Sequence, residues 1–592
     1  MLDKRARFKT KPEPVRKIIK NDFFSLREKF SIAFKNFQKR PATSCKFSKG
    51  MNCCRVCNMG PCQIMEGFEE LKGICGASAS TVVSRNFSRM VVSGASAHSE
   101  HTRDILLTLA KKIENGFKIK NIENFENWTK VLGIKIDLSE KELLSQMIDR
   151  IFKIFSQSQG RVLTADLAPD SLKDKWENYK VFPRGINREI VELFHKTTVG
   201  VDQEYKNILK GAIRTALADG WGSSLIASKL RDLMFDLNKP LEIKVNIGLN
   251  WIDPEKINIS VYETDPSLTE ALIKASSDEE IFKLIKKSKA KGINFTNVFN
   301  NVSLMGSFIQ QEVSLATGLI EAIVIGSTCV SPNLVKLANQ YHSLIITTDK
   351  RCNLEKATYI EFERTKSLEV AKEILKLAIT RFKLRDKSKI RVPEKSFDIK
   401  IGFRANNTDI NYIKEKIAKK DILGIVFLLG CDTPCLSEPP QIKVAKDLIK
   451  NNLLVLVSGC TATSLAMSGL LSLEGLDFAG EGLKKSLEKI EAPPLWYLGA
   501  CIDVPHIFEF LKQGLPIVAG IPEWMSESMV SVAMYLSCSG IPVVLGSDLP
   551  TLGSKKVTDF LSKEMKDLFG GFWLGSKNYD EFVKNIISLF KN

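Results

Sequence analysis

The sequence predicts an α+α/β chain, with a helical domain over residues 1–235 followed by two doubly wound parallel (Rossmann-like) α/β domains over 236–390 and 391–592. Three observations lead there. Apolar residues recur at three-four spacing through ASAHSEHTRDILLTLAKKIENG, REIVELFHKTTVG and QEYKNILKGAIRTALADGWGSSLIASKLRDLMF, all before position 236. After 240, short β-branched runs alternate with helical stretches. A polar, charge-rich segment, KLRDKSKIRVPEKS at 383–396, divides two such series. A length of 592 residues agrees, since about 150 residues per domain gives three to four domains.

Taken in order, the chain opens on a basic arm. Its first 40 residues hold 13 Lys or Arg against 4 Asp or Glu, which is +9 of the net charge of +17. Phe8, Phe23, Phe24, Phe30, Phe34 and Phe37 punctuate the arm at a spacing that suits an amphipathic helix, but a solvated basic face is the simpler reading. A nucleic-acid partner is not expected. The arm has no apolar core of the kind a secretory signal needs, and no run of 18 apolar residues occurs, so a cytoplasmic protein without a membrane span is expected. With 44% hydrophobic and 26% charged residues, the composition excludes fibrous and largely disordered classes.

Thirteen cysteines follow, six of them between positions 45 and 75. In a chain whose thiols stay reduced, that density points to metal or redox chemistry. Cys54, Cys57 and Cys62 form C-x2-C-x4-C, and Cys75 offers a fourth thiolate, a set that suits a 4Fe-4S cubane or zinc. Cys45 and Cys53 remain over and cannot complete a four-thiolate site in one chain. A second copy supplies the other two thiolates across a two-fold axis, so a homodimer with iron-sulfur clusters fits better than zinc.

The run QKRPATSCKFSKGMNCCRVCNMGPCQI resembles the N-terminal signature of the anaerobic nickel-iron carbon monoxide dehydrogenases, which share a superfamily with the hybrid-cluster proteins. LFHKTTVGVD, ALADGWGSSLIASKLRDLMF and GLNWIDPEKINI carry the resemblance onward over nearly the whole chain. It implies one 4Fe-4S cubane per chain on Cys54, Cys57, Cys62 and Cys75, and a cluster shared at the dimer interface by Cys45 and Cys53 of both chains, either 4Fe-4S or 2Fe-2S. It also implies a deeply placed nickel-iron-sulfide active cluster that interconverts CO and CO2, fed by a ferredoxin-like electron carrier.

The α/β series places further cysteines. Strands INISVYE, EAIVIGS and SLIITTD make the first sheet, and FDIKIGF, ILGIVFLLG, LLVLVSG, LWYLGA, PIVAGI and IPVVLGS make the second. Cys329, Cys431, Cys460 and Cys501 each lie just past the end of an apolar strand, at the sheet edge where ligands of open parallel sheets bind. They match four of the family's five active-cluster cysteines. Cys435, four residues after Cys431, either reaches the cluster or packs, while Cys352 and Cys538 read as core residues.

Other positions depart from the family. Asn294 and Phe295 stand at the fifth cysteine, Tyr262 and Thr264 at a histidine segment, and Ser528 at a lysine that helps bind and polarise CO2. The family's histidine helix keeps His98 and His101, with Asp104 and Leu107 at the next steps. His98 and His101 read as proton-handling residues and Asp219 as their supporting acid, whereas His195 reads as a packing residue. Together the departures imply an altered iron-sulfur or iron-sulfur-oxo cluster without nickel, with Glu263, Asp265 or Glu527 as oxygen donors.

The expected function is an oxidoreductase poor or inactive in CO/CO2 interconversion that reduces a small molecule such as hydroxylamine. Two alternatives stand beside it: a genuine carbon monoxide dehydrogenase with replacement ligands, and a non-enzymatic electron-transfer or redox-sensing dimer.

Overall fold

The computed structural model describes residues 22–39, 45–67, 71–114, 119, 122–134, 138–235, 239–263, 265–299, 302–303 and 306–591. Phe8 and Thr264 lie outside them.

The helical part is built on Ala79–Glu114, a helix of 36 residues. Val83, Phe87, Val91, Ile105 and Leu109 recur on its buried side at helical spacing and join the main core. The helices Ile186–Lys196, Tyr205–Ala218 and Leu225–Phe235 pack against it, the last two joined by a π-helical turn over Asp219–Ser224.

Beyond it stand two sheets. The first runs Thr358–Tyr359, Leu344–Thr347, Ile320–Ile325, Ile257–Tyr262 and Ile293–Thr296 from edge to edge, all parallel. The second has eight strands, ordered Trp573–Leu574, Val543–Leu545, Ile517–Ile521, Gly424–Leu428, Leu453–Ser458, Leu495–Gly499, Phe397–Ile401 and Leu241–Val245. Only its last pair is antiparallel. Ile257–Tyr262, Ile320–Ile325, Gly424–Leu428 and Leu453–Ser458 are buried along their whole length, which is why they read as unbroken apolar runs. The strand Leu241–Val245 precedes the first sheet in sequence yet sits on the edge of the second, so the chain visits the second sheet before it builds the first.

Register decides what reaches the functional edge. Tyr262, Ile325 and Thr347 lie level across three parallel strands, so the residues that follow each of them emerge together. The second sheet aligns Leu428 with Val457 and Gly520 in the same way, and Cys431 and Cys460 follow within three residues.

The basic arm corrects the expectation of a solvated face. Over residues 22–39 it forms the helices Phe23–Phe30 and Ile32–Gln38, with Phe23, Leu26 and Phe34 buried and Arg27 at 0% exposure. Its apolar face packs on the first sheet's helices, and that burial outweighs the pull of its charges toward water. Among the described residues no helix is long and apolar enough to cross a membrane.

Candidate metal centres

The N-terminal cysteines sit on a small hairpin. Strands Cys53–Cys54 and Cys62–Gln63 pair antiparallel with Cys54 opposite Cys62, and Cys57 lies in the turn between them. Cys54 is buried with Ile64, Ala77, Ala79 and Val82, while Cys75 is exposed. The Cys75 thiol is held below its usual range by the Ala77 backbone N–H and by Arg85, which favours the thiolate a metal needs. Cys45 caps the short helix Lys46–Lys49 and is exposed, and Cys53 is half-buried. Around them Met59, Met65, Leu71 and Ile74 are exposed, the last at 68%, so this end of the molecule presents apolar side chains to its surroundings.

Past the strand ends of the two sheets, four thiols influence one another. Cys460 is hydrogen-bonded to Cys501, and the bond draws the Cys501 thiol down and pushes Cys460 up. Cys431, pushed up to about 12 chiefly by burial, accepts the backbone N–H groups of Met525 and Ser526. Cys329 is also pushed up, to about 11, mainly by desolvation although its surface is accessible. That combination describes a thiol facing a recess rather than open water. Gly459 makes the close approach possible: its φ is +69°, and a Cβ there would lie 2.3 Å from Cys501 Sγ.

Four thiols at converging strand ends, none in a disulfide, three of them half-buried and Cys329 exposed, are a donor set suited to an iron-sulfur cluster. Among the described residues no three His, Cys, Asp or Glu side chains gather on a single ion. A cubane takes one thiolate at each of four corners, whereas a structural zinc gathers four on one ion.

The acids and histidines divide between this site and other tasks. His98 is buried beside Asp219, with Nδ1 2.8 Å from Oδ2, and although burial opposes its charge the Asp219 carboxylate and Cys501 raise its basicity. Asp219 also accepts Ser531 Oγ at 2.6 Å and Ser224 Oγ at 2.7 Å. His101 is pushed down to about 3 by desolvation and by Arg231, so it is neutral near pH 7. The next helical step, Asp104, is taken by Arg351 at 2.7 Å and Arg364 at 3.3 Å. Beyond His101 the helix therefore offers an ion-paired carboxylate in place of a further imidazole.

Glu263 is 3% exposed and lies across Gly326, in the space a Cβ would fill, accepting Thr348 Oγ1 at 2.8 Å. Glu527 is exposed near Cys329, and Ser528 opens the helix Ser528–Cys538 with no ammonium group to offer. Asp265 is committed elsewhere: it caps the helix Pro266–Ala275, pairs with Arg364 at 2.7 Å and accepts Thr108 Oγ1 at 2.8 Å. Tyr262 is wholly buried at its strand end, its phenol raised by desolvation. Asn294 is turned away from the edge, donating to the Trp251 carbonyl at 2.6 Å.

Two readings need correction. His195, expected to pack, is exposed on the last turn of Ile186–Lys196, whose outer face also carries Val191 and Phe194. Cys538 is buried as expected, but Cys352 is only half-buried, and its thiol accepts the Thr328 N–H beside Cys329. Its position five residues beyond the level strand end at Thr347 is the signal that could have placed it. Cys435 is half-buried at the far end of the Cys431 loop.

The model of the Prismane/CO dehydrogenase family matches residues 52–579. Carbon monoxide dehydrogenase 1 of Methanosarcina acetivorans is 35% identical over 559 residues, 89% of this chain and 88% of that protein. Carbon monoxide dehydrogenase 1 of Carboxydothermus hydrogenoformans is 31% identical over 92% of this chain and 93% of its own length. Among solved structures, an as-isolated nickel-free carbon monoxide dehydrogenase from Thermococcus sp. AM4 superposes with a TM-score of 0.89 at 32% identity, covering 96% of this chain and 95% of that one.

Proposed function

The chain belongs to the prismane/CO dehydrogenase family, and from that premise we propose that it is an iron-sulfur oxidoreductase whose third cluster has departed from the family's nickel-iron-sulfide form. In this reading Cys54, Cys57, Cys62 and Cys75 hold a 4Fe-4S cubane in each chain. Cys45 and Cys53 of two chains share another cluster, 4Fe-4S or 2Fe-2S, across a homodimer axis. Cys329, Cys431, Cys460 and Cys501, with Cys435 at the end of the same loop and Glu263 or Glu527 as oxygen donors, hold an altered iron-sulfur or iron-sulfur-oxo cluster without nickel. A ferredoxin-like carrier exchanges electrons with the exposed N-terminal end.

The clusters, when bound, supply stored electrons and iron positions open to a small ligand. The protein's share is to place four thiolates at one edge, keep a buried carboxylate beside them, and hold a proton on the His98–Asp219 pair. Reduction of hydroxylamine to ammonia and water consumes two electrons and two protons, and His98 is placed to pass protons on. Ser528 supplies no cation to polarise bound CO2, and this argues against fast CO oxidation.

The observation that carries the reading is the mutual influence of Cys329, Cys431, Cys460 and Cys501 where their strands end, in a chain that has Tyr262 and Ser528 where the resemblance implies a metal ligand and a cation. Carbon monoxide dehydrogenase itself is the second reading, favoured by the names of relatives at 31–35% identity and by the intact His98–Asp219 pair. Protein purified anaerobically after growth with added nickel decides between them. The proposal expects hydroxylamine to reoxidise the reduced protein and CO to give little or no viologen reduction. CO turnover matching that of the relatives makes the second reading correct. A third cluster inert to hydroxylamine, with full thiolate ligation, leaves an electron-transfer dimer.

A further inference from the structure

The arm helices Phe23–Phe30 and Ile32–Gln38 are fastened at three points. On the first helix, Arg27 Nη1 donates to Asp432 Oδ1 at 2.6 Å and Nη2 donates to the Thr433 carbonyl, with both charged side chains at 0% exposure. Asp432 takes a further bond from Ser307 Oγ at 3.0 Å. At the junction of the helices, buried Glu312 accepts Ser31 Oγ at 2.8 Å and the Ile32 N–H at 2.7 Å. At the end of the second helix, Gln38 Nε2 donates to the Cys435 carbonyl at 3.1 Å. The outer two attachments therefore land on the loop that begins with Cys431.

A buried guanidinium–carboxylate pair adds little net stability, because both charges are stripped of water. What it supplies is geometry. The planar fork of Arg27 fixes a carboxylate and the next residue's carbonyl together, and so fixes the backbone at 432–433. On the other side, the Cys431 N–H donates to the Glu523 carbonyl at 2.9 Å and its own carbonyl accepts Gln441 Nε2 at 2.7 Å. The Cys431 backbone is thus held by Gln441, ten residues on, and by Glu523, while Arg27 holds the two residues that follow it.

We propose that Arg27 is a positioning residue for the third cluster: through Asp432 it clamps the loop that presents the Cys431 thiolate, and its permanent charge offsets the Asp432 carboxylate beside that ligand. The inference rests on the reading of Cys431 as a cluster ligand. Loss of Arg27 removes a fixed positive charge from beside a cluster that becomes more negative on reduction, so the reduction potential is expected to fall.

The test uses full-length protein purified anaerobically, with a spectroscopically monitored redox titration of the third cluster and hydrogen exchange over residues 430–436. Arg27→Met is expected to lower the potential and speed loop exchange by on the order of tenfold. Arg27→Lys should keep most of the potential but loosen the loop, because an ammonium cannot fork. Arg27→Met combined with Asp432→Asn should bring the potential back toward wild type while the loop stays loose. A merely structural role does not restore the potential in the double variant, so its failure to recover overturns the proposal, as does unchanged behaviour of Arg27→Met. If Arg27→Met does not accumulate, Arg27→Lys and the double variant decide. Cys431→Ala separates the premises: an unaltered third-cluster spectrum there defeats the ligand reading and the clamp together, whereas a lost spectrum with an indifferent Arg27→Met defeats the clamp alone.

Discussion

His98 Nδ1 lies 2.8 Å from Asp219 Oδ2, in a contact between the long Ala79–Glu114 helix and the π-helical turn Asp219–Ser224. Ser223, Ser224 and Ser531 hydroxyls all reach the same carboxylate, so Asp219 is fixed before it fixes the imidazole. The ring is thereby oriented from its Nδ1 side, with Cys501 close enough to raise its basicity.

Asp219→Asn keeps the shape of this contact and removes its charge. Hydroxylamine reduction should fall by roughly 10- to 100-fold with iron content unchanged, the scale typical when the partner of a functional histidine is lost. Steady-state rates with a reduced viologen, beside an iron assay, check this. Equal rates in both proteins would remove His98 from the reaction.

Replacing Cys45 and Cys53 together by Ser should abolish one cluster per dimer and leave the spectrum of the cubane on Cys54, Cys57, Cys62 and Cys75. The exposed Met59 and Ile74 beside these thiols mark the surface a second copy would cover. Sedimentation with iron analysis reads both effects. A monomer carrying its full iron complement contradicts the shared cluster.

Ser528→Lys should not confer CO oxidation. A single charged contact to a developing carboxylate is worth about 3–4 kcal/mol, and the sequence also has Tyr262 and Asn294 where the resemblance implies metal ligands. Viologen reduction under CO measures it, and rapid turnover in this variant would show that the other ligands are intact in function.

His506 is 2% exposed, and burial, with Arg404, Lys229 and Arg231 around it, holds it well below the usual histidine range; the Asp232 carboxylate stands 3.6 Å from Nε2. The folded protein keeps it neutral while the unfolded chain takes up a proton near pH 6.5. Its contribution is therefore complete above pH 6.5 and lost on acidification, by about 1.4 kcal/mol per pH unit. Unfolding midpoints of wild type and His506→Gln between pH 8 and 5 should diverge in slope below 6.5, and parallel curves would show that His506 titrates normally.

How much of this was legible in the sequence depends on whether a feature is local or assembled. Cys431, Cys460 and Cys501 announce themselves because a parallel sheet brings every strand's C-terminal end to one edge, whereas Cys329 follows a strand of the other sheet and only the tertiary fold brings it near them. The Arg27–Asp432 pair spans 405 residues and hides inside a run of basic residues whose composition argues for solvent. Asp265 looks like an available oxygen donor until Arg364 and Thr108 are seen to occupy it. Leu241–Val245 lies within the stretch expected to form the first α/β domain and is not among the strands read there, and it pairs antiparallel at the edge of the other sheet, a choice made by Phe397–Ile401 more than 150 residues on. Cys352 needed the level register of Ile325 and Thr347 to be recognised as a neighbour of Cys329.

Anomalous scattering at the iron and nickel edges, from anaerobic crystals of protein matured with nickel supplied, tests the central claim most directly. Iron peaks within bonding reach of Cys329, Cys431, Cys460 and Cys501, with nickel at background, are the expected result. A stoichiometric nickel peak bound by any of these four thiolates would contradict it.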